Sequence, residues 1–549
     1  MSDRMRLTGM YSGMDTETIV QELVKTKQTK VDNLKNEQKK LEWKQTAWQD
    51  LNAKIYNLYS NTLSNLRLSG SFKKKTTTSS DTTKAKITAN GSAVNGTQTL
   101  KINQLAKTGY LTGAKIDVGT KLAGTNNIAK INSSLTGQKI SVTAKVTLAK
   151  GETYEDNGVT KTAEGGEKIN KTTEIEFTSD MTINNFVSKL KEAGVNANFD
   201  ENNQRFFISS KEMGLENDFT IDNVNGGDAL SILGLDDSIT YANGSKATRI
   251  KGQDAVIELN GAEFTSNSNT FNINGLTIDA LGTTDGDEEI SLVTSTDIDG
   301  IYNTVKDFFQ EYNELINEMD KLYNADSARK YNMLSDDEKE AMTDDEVEQW
   351  EDKIKGSLLR KDSSLSSIMN SMINSLMGGY LTTSDLSDED KAAMTASEYA
   401  AWEKQHTKHL SDYGIGTLSY FLSKDNERHA YHIDGDSEDE NTKDKEDKLR
   451  AAITADPDGS AEFFANVFKD MYTKIDKVMM ERSDYSSVYK VYNDKKLQKD
   501  YDDYTSKIKK AEEELNDYED KWYDKFTAME TALAKLQSNS SSITGMLGN

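Results

Sequence analysis

In residues 504–547 the apolar positions fall in steps of three and four, or multiples of seven: Tyr504, Ile508, Ala511, Leu515, Tyr518, Trp522, Met529, Leu533, Leu536, Ile543 and Leu547. Lys525 and Ser540 interrupt the series, and Phe526 lies beside the first break. A 3.5-residue repeat held in phase over about six heptads is a coiled-coil seam, and a seam needs a partner. The opposite end offers one. After Asp15, placed as an N-cap with Glu17 in the first turn, a helical face runs Val20, Val24, Val31, Leu34, Leu41, Trp48, Leu51, Ile55, Leu58, Leu66. Lys27, Gln38 and Gln45 break that face, so it packs poorly alone. The two ends therefore read as pairing with each other or with neighbouring subunits; the other reading is a long helix packed on its own domain.

Whatever lies between is inserted between these two helices. From about 76 to 293 the chain is rich in Thr, Asn, Gly and Ser. Short alternating runs such as KISVTAKV (139–146) and TEIEF (173–177) are separated by turn signals at Asn90-Gly91, Asn95-Gly96 and Asn260-Gly261. This is the pattern of antiparallel strands. One helix is expected inside it, over 183–193, stopped by Gly194. Helices return at about 297, where Ile301, Val305, Phe308, Phe309, Tyr312, Leu315, Ile316, Met319 and Leu322 share one face.

A duplication lies in that helical part. LSDDEKEAMTDDEVEQWEDK (334–353) and LSDEDKAAMTASEYAAWEKQ (386–405) align without gaps, identical at 10 of 20 positions. Ser335 with Glu338, Thr343 with Glu346 and Thr395 with Glu398 have capping-box spacing, and Ser387 has Asp390 in the reciprocal place. Each copy is expected to be a helix, a turn and a second helix, with Trp350 or Trp402 as a buried anchor.

Several classes of chemistry are excluded. There is no cysteine, hence no disulfide, thiolate metal site or Cys nucleophile. Lys and Arg number 66 against 91 Asp and Glu, a formal charge of −25 that repels nucleic acid and anionic lipid. No apolar run approaches the ~18 residues that span a bilayer. The N-terminus lacks the apolar core of a secretory signal, so the chain is expected either to stay in the cytosol or to leave by another route. Its single proline, Pro457, stands where about 27 would be usual; avoiding proline suits a chain that travels unfolded and folds on arrival, although a helix-rich composition accounts for it equally. Four histidines form two i, i+3 pairs, His406 with His409 and His429 with His432. Without a third ligand at a matching spacing they read as solvated, not metal-binding. The acidic run 434–447 reads as a disordered linker. No nucleophile elbow, zinc-protease motif or phosphate loop occurs, so no enzyme and no cofactor are expected.

With both ends and the middle read, the chain resembles the bacterial flagellar filament cap family of hook-associated proteins. The resemblance is carried by LTGMYSGMD (7–15), then Thr18, Ile19, Val20 and Leu23, then LEWK (41–44). It continues through YNELI (312–316), GSLLRKD (356–362), LSDYGI (410–415), DKL (447–449) and DPD (456–458). The second duplicated copy and the acidic run depart from the family pattern.

The resemblance implies a multidomain α+β fold: long terminal α-helices forming a coiled coil, a helical-bundle domain, and two antiparallel β-rich domains inserted in it. The expected parts are a leg segment (1–44, flexible in the monomer), a helical domain (45–75 and 294–500), a proximal β-domain (76–111 and 243–293), a distal β-rich domain (112–242) and a C-terminal leg helix (501–549). It implies a structural cap at the growing filament tip that retains exported flagellin, promotes its folding and polymerisation, and is required for filament elongation and motility. The implied partners are further copies of itself in a ring, five being the family's usual number, together with flagellin, the hook–filament junction proteins, the type III export apparatus and an export chaperone. The implied location is extracellular, at the flagellum tip, without a cleaved signal and without membrane insertion. Self-assembly and filament contact are assigned to Leu7, Gly9, Met10, Gly13, Met14, Asp15, Val24, Val31, Leu34 and Leu41 of the leading segment. At the other end they are assigned to Leu515, Tyr518, Trp522, Phe526, Met529, Leu533 and Leu536. A second role as an adhesin for mucin or other glycans would use aromatic residues of the β region, with Tyr154, Tyr241 and Phe264 as candidates.

Overall fold

The computed structural model describes residues 12–547 apart from 157–158, 384–385, 425 and 482. The chain divides into a helical unit, made of residues up to 73 and from 298 onward, and a sheet unit, 74–297.

The helical unit is built from long amphipathic helices whose ends carry the expected chemistry. The leading helix Thr16–Asn57 starts at Asp15, whose Oδ1 accepts from the Thr18 amide at 3.1 Å. The Thr18 hydroxyl holds the Asp15 carboxyl below its usual range. The central helix Ile298–Tyr323 buries Ile301, Val305, Phe308, Phe309, Tyr312, Leu315, Ile316 and Met319. Ser363–Leu376 is capped by Asp362, and Pro457–Met480 by Asp456. Pro457 stands in the first turn of its helix, where its missing N–H costs nothing. The core is aromatic. Phe468 lies 4.1 Å from Phe308, 5.9 Å from Phe72 and 6.2 Å from Phe464 between ring centroids, and Tyr413 stacks on Phe463 at 4.5 Å. The trailing helix Asp494–Leu547 leaves this core where Tyr492 stacks on Trp48 at 5.0 Å.

The sheet unit has two cores. In the first, a five-stranded antiparallel sheet orders its strands Lys75–Ser79, Ile290–Thr296, Gly96–Gln104, Ala255–Leu259, Ala262–Ser266. It shares a core of Leu100, Ile102, Ile257, Phe271, Ile278 and Leu292 with the smaller sheet Thr270–Ile273, Leu276–Ala280, Ala85–Ala89. Two hairpins here turn on Asn-Gly pairs with positive φ, Asn260-Gly261 and Asn274-Gly275, matching the twist of their strands. In the second core, a four-stranded and a three-stranded antiparallel sheet pack with the helix Ile183–Glu192 around Ile140, Val142, Phe177, Phe186 and Phe206. That helix ends at Ala193, and Gly194 follows at φ +105°, closed to most side chains. Strands Thr108–Thr112 and Thr248–Ile250 pair within the second core. The chain therefore crosses between the cores at the bridge of Lys107 with Gln253. Fold class is thus multidomain α+β, with a mainly helical core and two cores built chiefly from antiparallel sheets.

Both duplicated copies are helix–turn–helix, as Asp336–Glu340 with Asp344–Gly356 and as Asp388–Ala393 with Ala396–His406. Ser335, Thr343 and Thr395 form complete capping boxes. The tryptophans are only half-buried, which corrects their reading as core anchors. Trp350 donates to the Asn332 carbonyl at 2.8 Å and lies edge-on to Tyr331; Trp402 stacks between Tyr399 and His406. The physical reason is that Asp344–Gly356 buries Ile354 alone and Ala396–His406 buries nothing, so neither copy has an apolar face to hold a tryptophan inside.

Two further expectations are corrected. The acidic run 434–447 is ordered: Lys306 of the central helix reaches Asp436 at 2.8 Å and Glu438 at 2.7 Å, and Lys445 reaches Asp434 at 2.9 Å. The histidines of each pair stand in different surroundings. His406 ends a helix, His409 precedes a 3-10 turn, and His432 lies in the strand Tyr431–Ile433. His429 and His432 are not merely solvated, since their Nδ1 atoms lie 2.7 Å from Asp320 and 2.6 Å from Asp439. The Asp320 carboxylate holds the His429 imidazole above its usual range.

Candidate assembly interface

The leading and trailing helices run antiparallel against each other. The Ser12 amide donates to Glu530 at 3.3 Å, Lys30 reaches Glu514 at 3.2 Å, Lys35 reaches Glu512 at 2.7 Å, and Trp48 meets Tyr492. Three of the polar breaks in the two faces have cross-helix or local duties. Gln38 donates to Thr505 Oγ1 at 2.7 Å and to the Tyr501 carbonyl at 3.3 Å. Lys27 sits 5.9 Å over the Tyr518 ring, and Lys525 sits 4.1 Å over Trp522. Such ties fix the register while adding little apolar burial.

The seam is correspondingly thin. Val20, Val31, Ile508, Ala511 and Tyr523 are buried. Val24, Leu34, Leu41, Leu515, Tyr518, Trp522, Phe526, Met529 and Leu533 are half-buried, and Leu536 is 64% exposed. Ile19 and Leu23 are exposed on the leading helix and Ile543 on the trailing one. Two helices have too little surface to cover stripes this wide, so large apolar side chains stay partly in water. The Trp522 indole N–H is buried with no acceptor among the described residues. Met14 and Asp15 are exposed, and Gly13 holds φ +73°, a conformation that favours glycine. Leu7, Gly9 and Met10 lie outside the described residues.

On the trailing helix the apolar pattern missed two buried residues, Tyr523 and Glu530. Each adjoins a seam residue, Trp522 or Met529, because a single facing helix straddles the stripe rather than centring on it. Nothing in the spacing signals a carboxylate at 2% exposure; Glu530 is found only once Ser12 is seen to donate to it.

Among the described residues no group of three metal-ligating side chains occurs, and no helix is long and apolar enough to cross a membrane.

Comparison with known proteins matches both terminal helices and part of what lies between them. Residues 12–109 match the family model described as flagellar hook-associated protein 2 N-terminus, and residues 252–538 match that described as its C-terminus. The unmatched stretch between them contains nearly all of the second core of the sheet unit. A flagellar hook-associated protein 2 from Halalkalibacterium halodurans is 25% identical over 503 residues, covering 87% of this chain and 83% of its own. One from Thermotoga maritima is 24% identical over 427 residues, covering 77% and 59%. A solved structure of the flagellar cap protein FliD from Escherichia coli, domains D1 to D3, aligns with a TM-score of 0.48 at 18% identity, over 80% of this chain and 96% of that one.

Proposed function

The chain belongs to the flagellar hook-associated protein 2 family, and on that premise we propose how it acts as a cap of the bacterial flagellar filament. It is a structural protein of the flagellum and not an enzyme. In this reading, copies of the chain assemble in a ring at the growing tip, five being the expected number. They retain exported flagellin and promote its folding and polymerisation, so that filament elongation and motility depend on them. The chain reaches the tip by the flagellar type III route with an export chaperone, and at the start of growth it meets the junction proteins.

The observation that carries this reading is the half-covered apolar stripe of the paired terminal helices. A leg whose Trp522, Phe526, Met529 and Leu533 stay partly in water gains by meeting another helical surface, at about 1.5–3 kcal/mol per large side chain fully buried. The small residues ahead of Asp15 suit a segment that threads a channel. The adhesin role finds less support in its named aromatics: Phe264 packs on the core of its own sheet, and the Tyr241 hydroxyl accepts from the Asp236 amide at 3.3 Å.

Deleting the gene tests the proposal. The expected result is flagellin secreted as monomer into the medium, with filaments absent and hooks complete. Filaments of normal length in the deletion strain would overturn it.

A further inference from the structure

Three adjacent residues of the helical unit, Tyr420, Phe421 and Leu422, stand 70%, 93% and 64% exposed. Scattered apolar residues at a surface are ordinary, but a contiguous group at a projecting tip marks a contact. The tip belongs to a hairpin whose strands Ile415–Thr417 and Tyr431–Ile433 pair antiparallel. Its base is fixed to the central helix by Asn313, which donates to the Tyr431 carbonyl and accepts from the Tyr431 amide, both at 2.7 Å. The tip carries contacts of its own. The Ser419 carbonyl accepts from Leu422 at 2.9 Å and from Ser423 at 3.0 Å, the Tyr420 and Phe421 rings meet edge to face at 5.9 Å, and the Arg428 guanidinium covers Tyr420 at 4.9 Å.

We infer that this tip docks on a second copy of the chain. The inference rests on the reading of the chain as a self-assembling cap. Two arguments select the occupant. The first is area. Aromatic side chains bring about 150–250 Å² each, so the three residues offer on the order of 500 Å², below the ~800 Å² per partner of a contact that holds alone. Such a patch serves a neighbour already held close by other contacts, where effective concentration replaces affinity. Identical subunits side by side in a ring meet that condition, each tip docking on the next copy in a head-to-tail contact. The second is preformed shape. A pre-shaped aromatic pair fits one fixed surface, whereas clients that arrive unfolded are met by adaptable, Met-rich surfaces.

The absence of cysteine gives a clean test. In the full chain, Phe421→Cys is labelled with benzophenone maleimide, which restores an aromatic group, and is irradiated after assembly. The expected product is an adduct of twice the chain's mass. Leu536→Cys, labelled in the same way on the leg, is the companion. Self-adducts from 536 but none from 421 would overturn the docking inference and leave the ring standing; none from either would overturn self-assembly itself. Adducts from 421 to flagellin alone would assign the tip to the client and overturn the inference. Independently, Tyr420→Ser, Phe421→Ser and Leu422→Ser together should weaken self-association about a hundredfold while the helical unit melts unchanged, because the tip lies outside the core. Unchanged self-association would contradict it.

Discussion

Phe468→Ala should cost the helical unit about 3–5 kcal/mol. Phe468 is fully buried, and its ring meets Phe308 of the central helix, Phe464 of its own helix and Phe72 from the segment that follows the leading helix. It therefore joins three stretches that lie far apart in the chain. The cavity left by its removal cannot be filled from one side, since the remaining rings are held by their own helices. Against a stability of about 5–15 kcal/mol for a domain, a loss of this size is a large fraction. Helical circular dichroism should record a strongly lowered melting temperature. Trp350→Ala is the contrast, expected to cost only about 1–2 kcal/mol because its ring is half in water already. Equal melting of Phe468→Ala and the unaltered chain would mean that the aromatic core does not hold the unit together.

Trp522→Ala with Leu533→Ala should shorten or abolish filaments without preventing secretion of the chain. Full burial of two such side chains is worth about 3–6 kcal/mol together. Both are half-buried against the leading helix before any assembly, so about half of that loss falls on the helix pair. The remainder falls on attachment and amounts to one to two powers of ten at ~1.4 kcal/mol per decade. Neither residue belongs to the core of the helical unit, so the melting of that core should not move. Flagellin in the culture medium measures the defect, and normal filaments from the double variant would show that the legs are not held by this seam.

How far the sequence could be read depended on the range of each interaction. Capping boxes, the stop at Gly194 and the Asn-Gly turn at 260–261 are decided within a few residues, and the chain states them openly. The heptad stripes revealed the long helices, but a stripe does not tell how much of it one partner can cover; that left Tyr523 and Glu530 unnoticed and made the seam look drier than it is. The acidic run 434–447 was misread because composition reports local repulsion. The cation that orders it, Lys306, comes from a helix more than a hundred residues upstream. Trp350 and Trp402 show the converse: a large apolar residue is an anchor only if the element carrying it has a face to bury, and these short acidic helices have none. The tip at 420–422 was passed over because three apolar residues in a row carry no periodic signal in either structural class.

Where the protein sits on the flagellum decides whether it is a cap. Val159 is exposed on a hairpin of the sheet unit, and Val159→Cys would give the chain its only thiol. A gold label attached there and viewed on intact cells by electron microscopy should appear as one cluster at the distal end of each filament and move outward as the filament grows. Label spread along the shaft would make the chain a filament subunit, label at the filament base would make it a junction protein, and either would contradict the cap.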